Sequence, residues 1–280
     1  MNQEYRPSRF QILPPVVKNL LIITGILFLA STVMGERFGI DLADTLGLHY
    51  PTSEKFSFYQ VITHLFMHGS FLHLFSNMFA LWMFGNMLEN LWGSKRFLTF
   101  YLITGLGAAV VHLGFTGYEI SKMESTIQLY ASNTGPVDFR MLVERYSGYI
   151  DTRQFEMLLN KVYGELQVNP NDPLVKQESI DAAYLLLKNK IDIPTVGASG
   201  AVFGVLLAFG MLFPNTVLYL YFAIPIKAKY FVALYGVFEL YSGFENTPGD
   251  NVAHFAHLGG MLFGFILIKI WNKYNRNRFY

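Results

Sequence analysis

The chain has 280 residues, of which 52% are hydrophobic and 15% charged, and its mean hydropathy is +0.31. A soluble domain carries about 25% charged residues, so this composition cannot cover a water-facing surface. The net charge of +1 argues against a nucleic-acid partner, because binding to phosphates needs a basic excess. The absence of cysteine excludes disulfides, zinc-thiolate sites, iron–sulfur clusters and thiol nucleophiles. The composition therefore predicts an integral membrane protein in a lipid bilayer.

Six apolar runs are long enough to cross a bilayer as helices, which takes about 17–25 residues. In chain order they cover residues 16–34, 71–91, 97–115, 196–213, 228–244 and 252–271. Pro225 and Lys227 come just before the fifth run and Lys229 lies at its start. Residues 217–224 are either an interfacial segment or part of that span. The first run follows basic residues, as a signal peptide would, but no small-x-small cleavage site comes after it. We therefore expect an uncleaved anchor and an all-α polytopic membrane protein.

The basic residues of the short loops predict the orientation, because lysine and arginine favour the cytoplasmic side. Eleven of them fall on one side of the six runs: Arg6, Arg9, Lys18, Lys95, Arg96, Lys227, Lys229, Lys269, Lys273, Arg276 and Arg278. The short segments on the other side hold Arg37 and Lys55. Both termini are therefore expected in the cytoplasm, which agrees with an even number of spans.

An insertion at residues 117–195 separates the third run from the fourth and is not membrane-like, with 8 basic and 11 acidic residues. Apolar residues recur in it at helical spacing over 155–166 and 180–187, with Asp151 as an N-cap before the first stretch. Residues 169–173 (Asn-Pro-Asn-Asp-Pro) break the pattern between them. We expect a small helical subdomain on the outer face that is dispensable for chemistry.

These limits divide the chain into five parts. They are a cytoplasmic tail at 1–15, spans one to three at 16–116, the extracytoplasmic insertion at 117–195, spans four to six at 196–272, and a second cytoplasmic tail at 273–280.

Ionisable and strongly polar side chains at membrane depth are costly and are therefore candidates for function. Two clusters occur in or beside the apolar runs: His64, His68, His73 and Asn77 in the first, and His254 and His257 in the second. His73 and Asn77 are four residues apart and so share one helix face.

These polar residues also have interpretations in which they play no part in a reaction. Ser199 opens the fourth run among glycine and alanine, which usually marks close helix packing. The histidines could satisfy backbone groups at a membrane interface, and His64 with His68, at i and i+4, could bind a metal. No HExxH motif or nearby carboxylate supports a metal, so we expect neither a metal nor a cofactor.

Two pairs of glycines favour a functional interpretation of these polar residues. With the predicted orientation, the second, fourth and sixth runs cross the membrane in the same direction. The fourth run carries Gly200 and Gly204, and the sixth carries Gly260 and Gly264. Such small-x-x-x-small faces are suited to close backbone contact, so the two helices are expected to pack on each other.

This packing would bring Ser199 and His257 together in the outer half of the membrane. His73 and Asn77 lie near the outer start of the second run, at comparable depth. A hydroxyl, an imidazole and an amide donor thus converge below an aqueous surface. Serine hydrolysis needs these three parts as nucleophile, base and oxyanion hole.

The sequence resembles the rhomboid family of intramembrane serine proteases across the core of six runs. The motifs that carry the resemblance are H-x8-H-x3-N (His64, His73, Asn77), Glu89 twelve residues on, G-x-S-G (Gly197, Ser199, Gly200) and A-H-x-x-G-x-x-x-G (Ala256, His257, Gly260, Gly264). G-x-S-G alone would be a weak signal, but the set is specific. The resemblance implies a six-helix rhomboid-like bundle, with the insertion outside the common core.

The resemblance also implies residue roles. Ser199 and His257 would form a catalytic dyad with no acidic third member, and no carboxylate is evident near His257. His73, Asn77 and the backbone N–H of Ser199 would bind the oxyanion. The supporting positions would be Gly197, Gly200, Phe203, His254, Gly260, Gly264 and Glu89.

Two of these supporting positions have particular roles in the comparison. Phe203 stands where the family stacks an aromatic ring on the catalytic histidine. His254, one turn before His257, is the second candidate for the base. Tyr59 and Gln60 replace the Trp-Arg pair found in the first loop of some members, so the contacts of that loop are expected to differ.

The expected activity is endopeptidase cleavage of membrane-anchored proteins near the outer bilayer boundary, in a bacterial inner membrane. Two alternatives from other classes remain. A catalytically inactive rhomboid-like chaperone would share the fold, although such relatives typically lack the serine or the histidine present here. A small transporter would predict paired broken helices or internal repeats, and neither is visible.

Overall fold

The structure, a computed structural model, describes residues 10–220, 223–245 and 252–276. Residues 1–9 of the predicted N-terminal tail and 277–280 of the C-terminal tail lie outside the described residues. Within the described ranges, the regular structure is helical except for one two-stranded hairpin.

The first half of the membrane core is built from six helices. They are α1 (Pro15–Phe38), α2 (Leu42–Leu46), α3 (Gln60–Thr63), α4 (Phe71–Ala80), α5 (Asn86–Trp92) and α6 (Ser94–Ser132). A π-helical turn at Leu81–Gly85 joins α4 to α5, so that Phe71–Trp92 forms one continuous helix. Such π-turns are often found close to functional residues, and this one follows Asn77 by a single turn.

Glu89 ties the end of this helix to the start of α1. Its two carboxylate oxygens accept the backbone N–H groups of Val16 and Val17 at 2.9 Å each, and Ser94 donates its hydroxyl at 2.6 Å. The first N–H groups of a helix have no partner within the helix, and a carboxylate complements the positive end of its dipole. Glu89 therefore has a structural role at the end of the helix opposite His73.

Helix α6 is longer than the third predicted span. Its 39 residues extend about 58 Å, whereas the hydrocarbon core of a bilayer is about 30 Å thick. The insertion therefore begins as a direct continuation of a membrane helix, with no break near residue 117.

The remaining insertion helices are α7 (Pro136–Arg145), α8 (Thr152–Met157), α9 (Gly164–Val168) and α10 (Pro173–Asp192), with a π-helical turn at Leu158–Tyr163 between α8 and α9. Asp151 caps α8 by accepting the backbone N–H of Gln154 at 2.7 Å, as the sequence predicted. The second half of α6 packs with these helices around a separate apolar core that includes Ile127, Phe139, Leu142, Leu158, Leu166 and Leu186.

The second half of the core contains α11 (Ser199–Leu212), β1 (Val217–Leu220), β2 (Ile224–Lys227), α12 (Ala228–Glu245) and α13 (His254–Arg276). The strands pair antiparallel, from Val217 opposite Lys227 to Leu220 opposite Ile224. In the segment 217–224, predicted as an interfacial segment or part of the fifth span, residues 217–220 form β1 and Ile224 begins β2. Helix α12 begins directly after β2.

Helix α11 is enclosed by α6 and α13 through its glycines. A Cβ atom at Gly260 would overlap the carbonyl oxygen of Gly200, and one at Gly264 would lie 3.3 Å from the Cα of Gly204. Both contacts advance by one turn in the same direction, so α11 and α13 run parallel, as the order of the runs predicted. Their close contact is the one that the glycine pairs predicted.

Four helices of the described chain are long and apolar enough to cross a membrane: Pro15–Phe38, Phe71–Trp92, Ser94–Ser132 and His254–Lys273. Ser199–Leu212 is apolar but shorter, and α12 carries Lys229, Glu239 and Glu245. The sixfold count of spans therefore stays a prediction.

Large apolar side chains cover the outside of this helical core. They include Ile22, Ile26, Leu29, Phe71, Phe75, Leu234, Val237, Phe238, Leu262, Ile266 and Ile270. An exposed apolar surface of this extent marks contact with lipid or another partner rather than water. The chain is therefore an integral membrane protein.

Candidate active site

A cavity of about 1110 Å³ lies among α4, α6, α11, α12 and α13. Its wall includes Ser199, His257, His73 and Asn77, which the sequence placed in one site. These four side chains come from three separate helices, so the fold brings the two polar clusters of the sequence to one place.

Ser199 is the first residue of α11 and lines the cavity half-buried. Backbone hydrogen bonds hold the residues that precede Ser199 in place. Gly197 donates its N–H to the carbonyl of His64 at 2.9 Å, and Thr195 exchanges two hydrogen bonds with Leu48 at 2.8 and 2.9 Å. Because the first N–H groups of a helix lack intrahelical acceptors, the start of α11 presents backbone donors beside the serine.

His73 lies against this turn. Gly197 has a φ of +125°, which L side chains rarely adopt, and a Cβ atom there would lie 2.8 Å from Cε1 of His73 and 3.7 Å from Oγ of Ser199. The imidazole and the hydroxyl thus flank one α-carbon that only glycine can occupy. Gly197 is therefore part of the geometry of the site.

Asn77 lies one turn after His73 on the same face of α4. Its Nδ2 donates to the backbone carbonyl of His73 at 2.9 Å. An amide carries two N–H groups, so this bond leaves a second donor on the side chain. The side chain is buried and lines the cavity.

His257 is positioned by α13 and stacks on Phe203. The two ring centroids are 4.0 Å apart and the planes are inclined by 6°. Phe203 lies one turn after Ser199 on α11, so this stack places the imidazole beside the first turn of that helix. The aromatic partner is the one that the sequence comparison indicated.

A carboxylate does lie next to His257, contrary to the sequence analysis. Oε2 of Glu239 on α12 is 2.8 Å from Nδ1 of His257 and 2.6 Å from Nδ1 of His254. Glu239 is only 2% exposed. The sequence carried a signal for it, because Glu89 and Glu239 are the two acidic residues within the six predicted spans, and an ionisable residue at membrane depth is a candidate for function.

The same three residues form a group that could hold a metal ion. One donor atom from each of Glu239, His254 and His257 lies within 4.8 Å of the others. Two imidazoles and one carboxylate are a ligand set that suits zinc. The sequence analysis considered metal binding by His64 and His68. Nδ1 of His64 is hydrogen-bonded to the carbonyl of Gln60 at 2.8 Å. Both ring nitrogens of the buried His68 lack a hydrogen-bond partner.

The insertion forms part of the cavity wall. Glu119, Tyr149 and Lys190 line it. Lys190 forms an ion pair with Glu119 at 2.9 Å and lies 4.5 Å above the Tyr149 ring. His112 of α6, which the sequence analysis left outside the site, also lines the cavity. The insertion is therefore closer to the site than a separate outer subdomain would be.

A family model described as the Rhomboid domain matches residues 55–123 and 179–273, which together are more than half of the chain. The chain therefore belongs to the rhomboid family, as its motifs predicted. The family consists generally of serine intramembrane proteases, and membership agrees with the apolar helices of an integral membrane protein. Residues 124–178, between the two segments that the family model matches, are unmatched and lie inside the insertion.

Proposed function

We propose that this protein is an intramembrane serine endopeptidase that hydrolyses peptide bonds of membrane-anchored proteins. The observation that carries the proposal is the shared cavity, in which Ser199, His257, His73 and Asn77 meet. The stack of His257 on Phe203 supports it, because it holds the imidazole beside the first turn of α11.

In the proposed reaction, Oγ of Ser199 attacks the scissile carbonyl carbon while its proton passes to His257. The carbonyl oxygen becomes an oxyanion, which accepts hydrogen bonds from His73, Asn77 and the backbone N–H of Ser199. The C–N bond then breaks, and His257 gives the proton to the leaving amine. A water molecule next attacks the acyl carbon and loses a proton to His257. The bond between this carbon and Oγ of Ser199 then breaks, which releases the second product, and His257 returns the proton to Oγ.

The proposed orientation places both termini in the cytoplasm and the cavity towards the outer side of a bacterial inner membrane. Its support comes from the basic residues at the inner ends of the helices. Arg96 lies 4.2 Å above the ring of Trp271 and 5.7 Å above that of Trp92. Tryptophan is enriched at membrane interfaces and arginine on the cytoplasmic side, so this cluster supports an inner boundary at this end of the helices.

The test is cleavage of a single-span membrane substrate by the purified protein in detergent. Ser199→Ala and His257→Ala should each lower kcat by about 10⁴–10⁶-fold, because either change removes a group that forms or breaks bonds. His254→Ala should lose far less, since it removes a neighbour of the base. Full activity of Ser199→Ala would overturn the proposal. An inactive unmodified protein would instead favour a rhomboid-like chaperone without catalysis.

A further inference from the structure

We propose that Glu239 is a positioning residue of the active site, which holds His257 with Nε2 free to take the proton of Ser199. This inference rests on the proposed protease function. It adds a third member, carried by α12, to the serine–histidine pair that family membership implies.

The hydrogen-bonding capacity of a carboxylate supports the assignment. Oε2 of Glu239 lies 2.8 Å from Nδ1 of His257 and 2.6 Å from Nδ1 of His254. An ionised carboxylate only accepts hydrogen bonds, so with Glu239 ionised both Nδ1 atoms carry the hydrogen. A neutral imidazole with its hydrogen on Nδ1 has its lone pair on Nε2, which is the form that a general base requires.

The ring of Phe203, which stacks on His257, cannot by itself determine which ring nitrogen faces Ser199. Phe203 is parallel to the imidazole within 6° and therefore fixes the plane of the ring. A half-turn about the Cβ–Cγ bond keeps that plane but exchanges Nε2 with Cε1, which has no lone pair. The bond from Nδ1 to Glu239 breaks in the rotated ring, so Glu239 selects the productive rotamer as well as the tautomer.

Burial makes the interaction strong. Glu239 is 2% exposed, and His254 and His257 are each 8% exposed. A carboxylate removed from water is costly unless donors compensate it, and two N–H donors do so here. Hydrogen bonds to a charged group are about twice as strong as neutral ones, so the pair of histidines and the carboxylate hold one another in place.

The geometry favours hydrogen bonds over a metal ion at these atoms. Two donor atoms that share a tetrahedral zinc ion at about 2.1 Å lie about 3.4 Å apart. The separations of 2.6 and 2.8 Å are shorter and match charge-assisted hydrogen bonds. Direct contact between Glu239 and His257 is therefore the arrangement to be tested.

The experiment compares Glu239→Gln and Glu239→Asp with the matched control Glu245→Gln. Glu245 lies on the same helix and accepts a hydrogen bond from Tyr241 at 2.7 Å, outside the cavity. For each purified variant we would measure kcat, KM, the thermal unfolding midpoint and the rate at which a fluorophosphonate labels Ser199.

Glu239→Gln should lower kcat by about 10²–10⁴-fold, the upper value being that of a triad in which an amide replaces the carboxylate. KM should stay within a few fold, and labelling should slow in parallel with kcat. Glu239→Asp should be intermediate because its carboxylate is shorter by one methylene. Glu245→Gln should leave all four quantities unchanged.

Several outcomes would overturn the inference. Wild-type kcat and labelling in Glu239→Gln would exclude a positioning role, and so would a loss of kcat that only follows a loss of thermal stability. Activity that EDTA removes and Zn²⁺ restores would make Glu239 a metal ligand instead. If Glu239→Gln does not fold, Glu239→Asp carries the test: a lower kcat at unchanged KM supports the inference, and an unchanged kcat refutes it.

Ser199→Ala, assayed in parallel, separates this inference from the proposed function. An inactive Ser199→Ala with a fully active Glu239→Gln would refute only the role of Glu239. An active Ser199→Ala would refute the protease mechanism itself.

Discussion

At the scale of single residues, the site combines side chains that touch the cavity with backbone groups that hold them. Asn77 illustrates both, because its amide donates to the carbonyl of His73 at 2.9 Å while its side chain lines the cavity. The bond within α4 fixes the amide in one orientation. In the proposed mechanism, the second N–H group reaches the oxyanion without a rotamer change.

We predict that Asn77→Ala lowers kcat by about 10²-fold, the usual loss for one oxyanion donor. KM should change little, because such a donor acts mainly in the transition state. Steady-state cleavage of a membrane substrate would measure both constants. The matched control is Asn90→Ala, near the opposite end of the same continuous helix, where the amide donates to the carbonyl of Gln11 at 2.9 Å. Equal kcat values for Asn77→Ala and the wild type would exclude Asn77 from the oxyanion hole.

At the scale of elements, three helices determine where Ser199 and His257 lie. Gly200 and Gly204 of α11 face Ala108 and Thr104 of α6. On another side of α11, Gly260 and Gly264 allow α13 to pack against it. A Cβ atom at Gly260 would overlap the carbonyl of Gly200. The backbone of α11 therefore leaves no space for a side chain there.

We predict that Gly260→Val lowers both thermal stability and turnover. Overpacking of this kind costs about 1–3 kcal/mol, and a displacement of about 1 Å at the reacting groups can cost about 10²-fold in rate. Thermal unfolding and cleavage rates, measured in the same detergent, would show both effects.

Gly114→Val on α6 is the control for this prediction, because a Cβ atom there has no heavy atom within 4 Å. It should change neither quantity appreciably. A fully active and equally stable Gly260→Val protein would contradict the close approach of α11 and α13.

At the scale of the whole molecule, two apolar cores meet along α6. One core joins α1, α5, α6, α11 and α13 within the membrane, and the other joins the second half of α6 to the insertion helices. The insertion is also tied to the first loop, where Ser53 donates to Asp192 at 2.6 Å. These contacts place Glu119, Tyr149 and Lys190 on the wall of the cavity.

We predict that replacing residues 119–192 with a short flexible linker preserves kcat on a short fluorogenic peptide within a few fold. The four residues proposed for chemistry lie outside this segment. KM for a membrane-anchored substrate should rise, because the deletion removes part of the cavity wall. Ser199→Ala in the shortened protein is the control for residual activity. Complete loss of peptide cleavage by a folded deletion protein would show that the insertion shapes the site itself.

The sequence by itself determined the class of protein and most of the residues of the candidate site. A composition poor in charge requires a bilayer, and polar residues at membrane depth are conspicuous because each is costly there. The spacing of His64, His73 and Asn77 and the motifs around Ser199 and His257 predicted the rhomboid family, which the family model confirms. The glycine pairs predicted the contact of α11 with α13, because close helix packing needs small residues.

Only the tertiary structure decided what lies between elements that are distant along the chain. Glu239 contacts His257 because α12 and α13 lie side by side. The two residues are on different helices, so the periodicity of a single helix could not indicate their contact. Glu119 pairs with Lys190 across 71 residues for a similar reason, since α10 returns along α6. Local patterns specify helices and their faces, whereas the partner of each buried charge depends on how those faces are packed together.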